Sequence, residues 1–258
     1  METKKIHIFG MDFDNLNLEE SIQEIDVLIK DNKQTGKKSF VVTPNVDHLV
    51  NVDKNKAFKE VYDKASLKLV DGMPIVMIAK LFKRSFQEKV SGADLTPKLF
   101  ELAHKNNYKV FIFGSQFGVG GRVAKMLKEE YGDEYCIESY SPPFGFENNL
   151  LELNKSLEII NKFSPDILFV SLGSPKGEFF ICNNLDSINA AVSIQVGAAI
   201  DFMAGTVKRA PNWMQNCGLE WFYRFLKEPK RMFKRYFIND IYFIKLILME
   251  IRRNSNVN

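Results

Sequence analysis

Leu67-Lys68-Leu69-Val70-Asp71-Gly72-Met73-Pro74 is the stretch on which the reading of this chain turns. Its apolar residues and β-branched Val70 predict a short buried strand. Gly72 frees the backbone for a turn, and Pro74 presets φ for a short apolar helix over 75–82. An acid at the C-terminal end of a strand lies where open α/β sheets bind their ligands. Asp71 reads either as a catalytic base or as a plain helix cap, and this stretch alone leaves both open.

Outward from that strand the chain alternates. Strands are expected at 6–11, 39–43, 108–113, 134–139, 166–172 and 192–196. Helices are expected at 18–29, 49–55, 97–105, 123–131 and 150–163. That alternation predicts an α/β fold, a Rossmann-like, doubly wound, mostly parallel sheet with crossover helices. Asn17 with Glu20 has the spacing of a capping box. Asp12-Phe13-Asp14 could hold a divalent ion, but it precedes any nucleotide-binding unit and reads instead as turn and cap acids.

Several strand exits carry polar residues. Thr43 and Asn45 offer a hydroxyl and an amide of the kind that orients sugar hydroxyls, although Asn45 or Asp47 could simply cap the next helix. Gly114 and Ser115 open a glycine-rich turn before a helix, where backbone N–H groups meet phosphate or ribose. Its spacing is not GxGxxG, and no P-loop lysine follows. Gly173-Ser174-Pro175-Lys176-Gly177-Glu178 is a second such turn, and Asp201 is another acid just past a strand. Lys89 either meets a phosphate or is solvated.

The bulk numbers exclude much. With 258 residues, 45% hydrophobic and 26% charged, the chain suits one α/β domain plus an appendage and is not globally disordered. Cys136, Cys182 and Cys217 are odd in number and far apart, and none of the three histidines has a partner at metal spacing. No metal site, cofactor or nucleic-acid partner is indicated, and a reducing cytoplasm fits best. No secretion signal and no membrane-spanning run is expected.

The charge is uneven. From position 224 to 253 there are nine Lys or Arg against three Asp or Glu, a surplus of six, whereas the whole chain is +3. Phe233, Phe237, Ile241, Ile244, Leu248 and Ile251 recur there at three- and four-residue steps. A basic, amphipathic helix lying on an anionic membrane surface is the expectation, worth at most about 6 kcal/mol at roughly 1 kcal/mol per basic residue. Packing on its own domain or on a dimer mate is the alternative. The expected organisation is a catalytic α/β domain over 1–208 and a helical appendage over 209–258.

Seven of these stretches, in order from about residue 40 to 235, resemble the WecG/TagA/CpsF family of bacterial glycosyltransferases. They are Thr43-Pro44-Asn45-Val46-Asp47-His48, Val70 to Pro74, Lys89 to Leu95, Phe113-Gly114-Ser115, Leu172 to Glu178, Val196 through Asp201 to Gly205, and Arg209-Ala210-Pro211 with Gly218 to Arg224 and Glu228 to Arg231. The resemblance implies an inverting, metal-independent transferase. It would move an N-acetylhexosamine-type sugar from a UDP donor to a polyprenyl-diphosphate-linked sugar at the inner face of the membrane. N-acetylmannosamine or its uronic acid is the expected sugar, for teichoic acid or other surface polysaccharide. It further implies Asp71 as catalytic base, with Thr43 and Asn45 in the sugar pocket. Asp201, Gly114 and Ser115 fall at the nucleotide end, Lys89, Pro175 and Glu178 join the substrate-binding set, and Arg224 and Arg231 close over the diphosphate. A homo-oligomer stays open. The chain departs from the family at Gly177, where Gln is usual, and at Lys89 and Lys234, where Arg is common. The rival reading is a non-catalytic nucleotide-sugar or lipid-binding module. A dinucleotide oxidoreductase is disfavoured by the missing GxGxxG.

Overall fold

The structure, a computed structural model, describes residues 4–216, 219–227 and 229–255, with side chains at all of these except 212, 216, 221, 224, 230–240 and 255. The chain opens with a hairpin of β1 (Lys5–Ile8) and β2 (Met11–Asp14), paired antiparallel from Lys5 with Asp14 to Ile8 with Met11. The single strand expected over 6–11 is therefore broken. Phe9 and Gly10 both take positive φ, 54° and 73°, which is the geometry of a two-residue hairpin turn. Asp12 and Asp14 lie in β2, not in a turn or a cap. Asp12 meets His7 at 2.7 Å, and buried Asp14 accepts from the Lys68 N–H at 2.9 Å.

Helix α1 (Leu18–Thr35) starts at the expected Asn17–Glu20 capping box and ends at Gly36 in the left-handed region. Then follow β3 (Ser39–Val42), α2 (Val46–Lys54), α3 (Lys56–Asp63), β4 (Leu67–Lys68), α4 (Met73–Leu81) and α5 (Gly92–Asn106). Next come β5 (Val110–Gly114), α6 (Val119–Tyr131), β6 (Ile137–Tyr140), α7 (Leu150–Phe163), β7 (Ile167–Ser171), α8 (Lys176–Asn184), β8 (Val192–Gln195) and α9 (Ala199–Met203). The chain closes with α10 (Asn212–Asn216), α11 (Glu220–Lys227) and α12 (Pro229–Ser255).

Six strands form one parallel sheet in the order β4-β3-β8-β7-β5-β6. Strand side chains alternate between two apolar layers. Phe40, Val42, Phe111, Phe113, Leu168 and Val170 face the layer that includes residues of α2, α3 and α8. Val41, Val110, Ile112, Ile167, Phe169 and Ile194 face the layer that includes residues of α1, α5 and α6. Both faces are thus buried, as a parallel sheet requires.

The C-terminal helix returns to this body. Phe243 and Leu246 are buried in the first layer, Phe243 sits 5.2 Å from the ring of Phe9, and Tyr242 donates to Asp53 at 2.7 Å. Glu250, 2% exposed, pairs with Arg84 just beyond α4 and accepts from the Phe9 N–H at 3.1 Å. Ile241, Ile244 and Leu248 remain exposed on a different side of the helix. Among the described residues no helix is long and apolar enough to cross a membrane.

Candidate functional site

The chain leaves β5 toward β6 on one side and leaves β7 toward β8 on the other. Because β5 and β7 are neighbours, their exits diverge and open a crevice, the usual ligand position in a doubly wound sheet. Serine hydrogen bonds fix its floor. The Ser115 N–H donates to the Ser171 carbonyl at 2.7 Å, Ser115 Oγ donates to Ser171 Oγ at 2.8 Å, and Ser171 Oγ donates to the Gly197 carbonyl at 2.7 Å. Gly114 has φ 99°, and a Cβ there would lie 2.6 Å from the Ser171 carbonyl oxygen, so only glycine permits the approach.

Above this floor lies a cleft of about 870 Å³, lined by Ser115, Pro175, Lys176, Asp201, Lys208 and Arg209, with Tyr223 and Lys227 from α11. Four cationic side chains and one carboxylate line it. Burial raises the Asp201 pKa above the ordinary carboxylate range, with partial offset from hydrogen bonds including one from Thr206.

Arg209 is held from behind. Its guanidinium meets Asp94 at 2.8 Å and Glu220 at 3.7 Å, and it reaches Ser91 Oγ at 3.4 Å. Asp94 also takes Lys89 at 2.6 Å and the Ser91 hydroxyl at 2.6 Å. Burial works against ionisation of Asp94, but the lysine, the serine and Arg209 outweigh it and hold its pKa at about 2. The Lys89 ammonium is thus committed to Asp94. The Arg209 Nε–H is buried with no hydrogen-bond partner among the described residues, so donor capacity toward a ligand remains.

Asp71 stands at the exit of β4, half-buried, on the same C-terminal edge but outside the cleft lining. Between β4 and β7 lie β3 and β8, three strand intervals or roughly 14 Å. The cap of α4 is Gly72, with no side-chain cap bond, so Asp71 is not the plain N-cap of that helix. Its backbone N–H donates to the Pro44 carbonyl at 3.0 Å, which ties the Asp71 turn to the Thr43–Asn45 exit. Val90 donates to the Val70 carbonyl at 2.8 Å and brings the Lys89 loop to its other side.

Asn45 does cap α2. Its Oδ1 accepts from Asp47 and His48 at 3.1 and 3.3 Å, while the Asn45 N–H donates to His48 Nδ1 at 3.1 Å. That bond leaves the ring proton on Nε2, facing Glu178 at 3.5 Å. Burial lowers the His48 pKa, only partly offset by Glu178. Glu178 itself is wholly buried in α8, and neither oxygen makes a hydrogen bond to the described residues. The Tyr62 phenol is raised well above its ordinary range by burial and then by the charges of Glu178 and Asp71.

The expected residues thus fall into two groups on one edge. Gly114, Ser115, Pro175 and Asp201 belong to the crevice; Asp71, Thr43 and Asn45 belong to the β3–β4 exits. Lys89 lies between, and Glu178 lies underneath. The side chains of Arg224 and Arg231 lie outside the described residues. Lys208, Tyr223 and Lys227 of the cleft were not singled out from sequence, nor were Arg209, Gln195 and Tyr62. Arg209 could have been found from its basic pair with Lys208, Gln195 from its polarity in an apolar strand, and Tyr62 from no local signal.

The profile of the Glycosyl transferase WecG/TagA/CpsF family matches residues 6–257. The chain belongs to that family. It is accordingly a glycosyltransferase. The chain is similar to the N-acetylglucosaminyldiphosphoundecaprenol N-acetyl-beta-D-mannosaminyltransferase of Staphylococcus aureus strain MRSA252, 29% identical over 230 residues that cover 89% of this chain and 87% of that relative. The same protein of strain MW2 is 28% identical over equal coverage. At Gly177 the structure shows what fills the surroundings. A Cβ at Gly177 would overlap the carboxamide of Gln195, its Cδ only 2.5 Å away.

Proposed function

We propose that this glycosyltransferase moves an N-acetylmannosamine-type sugar from a UDP donor to a polyprenyl-diphosphate-linked sugar, with inversion and without a metal. The names of the relatives support the sugar and the acceptor class. The observation that carries the reading is the shared edge. A carboxylate at the β4 exit and a cationic cleft at the β5–β7 crevice stand roughly 14 Å apart, a span that suits a nucleotide sugar laid along the strand ends.

On this reading the diphosphate lies in the cleft among Lys176, Lys208, Arg209 and Lys227, near the backbone N–H groups of the Ser115 turn. The sugar extends toward Asp71. The acceptor hydroxyl attacks the anomeric carbon from the face opposite the diphosphate as the bond to the leaving oxygen breaks. Asp71 takes the proton of that hydroxyl, a contribution of about 10²- to 10⁴-fold. The electron pair leaves with UDP, whose growing charge meets the cleft cations in place of a metal ion. Among the described residues no cluster of three acidic, histidine or cysteine side chains stands ready for a metal.

The exposed Ile241, Ile244 and Leu248, with Lys245 and Arg252 on the same helix, support a further element. This face rests on the anionic inner leaflet, where the lipid-linked acceptor is held. Residues 209–258 are the appendage that provides it.

Transfer assays with UDP-N-acetylmannosamine and an undecaprenyl-diphosphate-linked N-acetylglucosamine test the reading, with and without EDTA. Turnover that survives EDTA and is abolished in Asp71→Asn is expected. Strict dependence on added Mg²⁺, or an Asp71→Asn variant as fast as the parent, would refute it.

A further inference from the structure

Between the two halves of the site lies one side chain whose polar group is only half used. Gln195 ends β8, the strand between β3 and β7, where it pairs in register with Val170. It is 6% exposed. Its Nε2 donates to the Leu172 carbonyl at 2.7 Å, which holds the carboxamide beside the β7 exit that floors the cleft. Its Oε1 is buried with no hydrogen-bond partner among the described residues.

The room for this carboxamide comes from position 177. Any side chain there would begin inside the Gln195 amide, so Gly177 and Gln195 form a complementary pair. The two residues come from different elements, the first turn of α8 and the end of β8, and neither choice makes local sense alone. Glycine two residues into a helix costs backbone entropy relative to alanine. A buried amide oxygen left unpartnered in an apolar strand is likewise unfavourable.

We infer that Gln195 is a specificity-determining residue for the transferred sugar, its carboxamide admitted to the edge by Gly177. The inference rests on the proposed function. A donor running from the cleft at β7 to Asp71 at β4 must cross the ends of β8 and β3, and Gln195 is the polar side chain of the β8 end. A carboxamide can donate to a ring hydroxyl or accept from an acetamido N–H, the groups that distinguish an N-acetylhexosamine from its parent hexose. Contact with the sugar needs only a rotation of the amide about the side-chain bonds, away from the Gly177 backbone.

The test compares the full-length parent with Gln195→Leu, Gly177→Gln and the double variant Gly177→Gln/Gln195→Gly. Each is assayed for kcat and KM with UDP-N-acetylmannosamine, for affinity toward UDP alone, and for melting temperature. For Gln195→Leu, kcat/KM should fall about tenfold or more, the loss of one ligand hydrogen bond, with UDP affinity and melting temperature kept near the parent. Preference for N-acetylated over non-acetylated donors should shrink in parallel. Gly177→Gln alone should lower activity by pushing the Gln195 amide off its bond to the Leu172 carbonyl, and the double variant should regain much of it, since the amide is then delivered from the other side of the same space. Unchanged kcat/KM and donor preference in Gln195→Leu, in a parent that does turn over, would overturn the inference alone. A joint fall in melting temperature and UDP affinity would show a structural brace and also overturn it. A parent with no transfer from any UDP sugar would instead remove the proposed function, and this inference with it.

Discussion

Replacing Asp94 by asparagine should destabilise the protein by an amount that shrinks in acid. The Asp94 carboxyl drops from 3.8 in the unfolded chain to about 2 in the folded one, because Lys89, Ser91 and Arg209 converge on it. That difference corresponds to about 2 kcal/mol of stability at neutral pH. A depressed acid stabilises fully above its unfolded value and loses that contribution as pH falls through its folded one. The gap between parent and Asp94→Asn should therefore be about 2 kcal/mol at pH 7 and near 1 kcal/mol at pH 3. Urea unfolding at the two pH values measures it. Equal midpoints at pH 7, or a gap that widens in acid, would refute the account of this cluster. The cluster also bears on the site, since Arg209 is its only member lining the cleft. Arg209→Ala should weaken UDP binding about 10- to 100-fold, as expected for a charge-assisted hydrogen bond, by titration calorimetry at fixed ionic strength.

Asp71→Asn should lower kcat by about 10²- to 10⁴-fold and leave UDP affinity intact, because the acid is outside the cleft proposed to hold the nucleotide; kinetics beside calorimetry separate the two. Asp201 has the opposite sign to Asp94. Its folded pKa is raised, so its ionisation opposes folding above that value and has no effect below 3.8. Asp201→Asn should be at least as stable as the parent at pH 7, with the advantage vanishing in acid, while UDP binding changes; a less stable variant at pH 7 would contradict this. Ile244→Asp with Leu248→Asp should abolish co-sedimentation with vesicles containing phosphatidylglycerol and leave the melting temperature unchanged, since both side chains are exposed.

The sheet was legible because β3, β5, β7 and β8 announce themselves as largely apolar runs before a polar or glycine exit. The exceptions are β6, Ile137-Glu138-Ser139-Tyr140, which lies at 137–140 where 134–139 was expected, and β4, two residues long, found through Asp71 and Gly72 and not through its own length. Helix α7 begins and ends where its periodicity and Asn149 cap place it. The hairpin was missed because Phe9 in the left-handed region has no sequence signal of its own; Gly10 alone also permits an uninterrupted strand. Helix α3 was missed because Asn55 both ends α2 and caps α3, so one polar residue conceals a boundary. Between the α/β body and α12 stand two short helices, α10 and α11. Of the site, exits were legible and depth was not. Pattern placed Glu178 on a glycine turn, whereas its burial under that turn follows from how α8 packs against α3 and the His48 side chain.

The packing of α12 changes how the two ends of the site relate. Pattern alone left it on a membrane, on its own domain or on a dimer mate. The structure packs Phe243, Leu246 and Glu250 against the body and leaves Ile241, Ile244 and Leu248 exposed. Glu250 grips Arg84, three residues beyond the end of α4, and α4 begins at Gly72 beside Asp71. A nine-residue helix is about 14 Å long, so one short rigid element joins the Asp71 turn to the anchored end of α12. A leaflet touching the outer face of α12 would therefore meet Asp71 at a fixed height, set by packed apolar groups and a buried ion pair. The acceptor's lipid confines its sugar to the same leaflet. On the proposed reading, docking then aligns base and nucleophile through the fold itself, and weakening the Arg84–Glu250 pair should reduce transfer to a membrane-held acceptor more than transfer to a soluble, short-chain one.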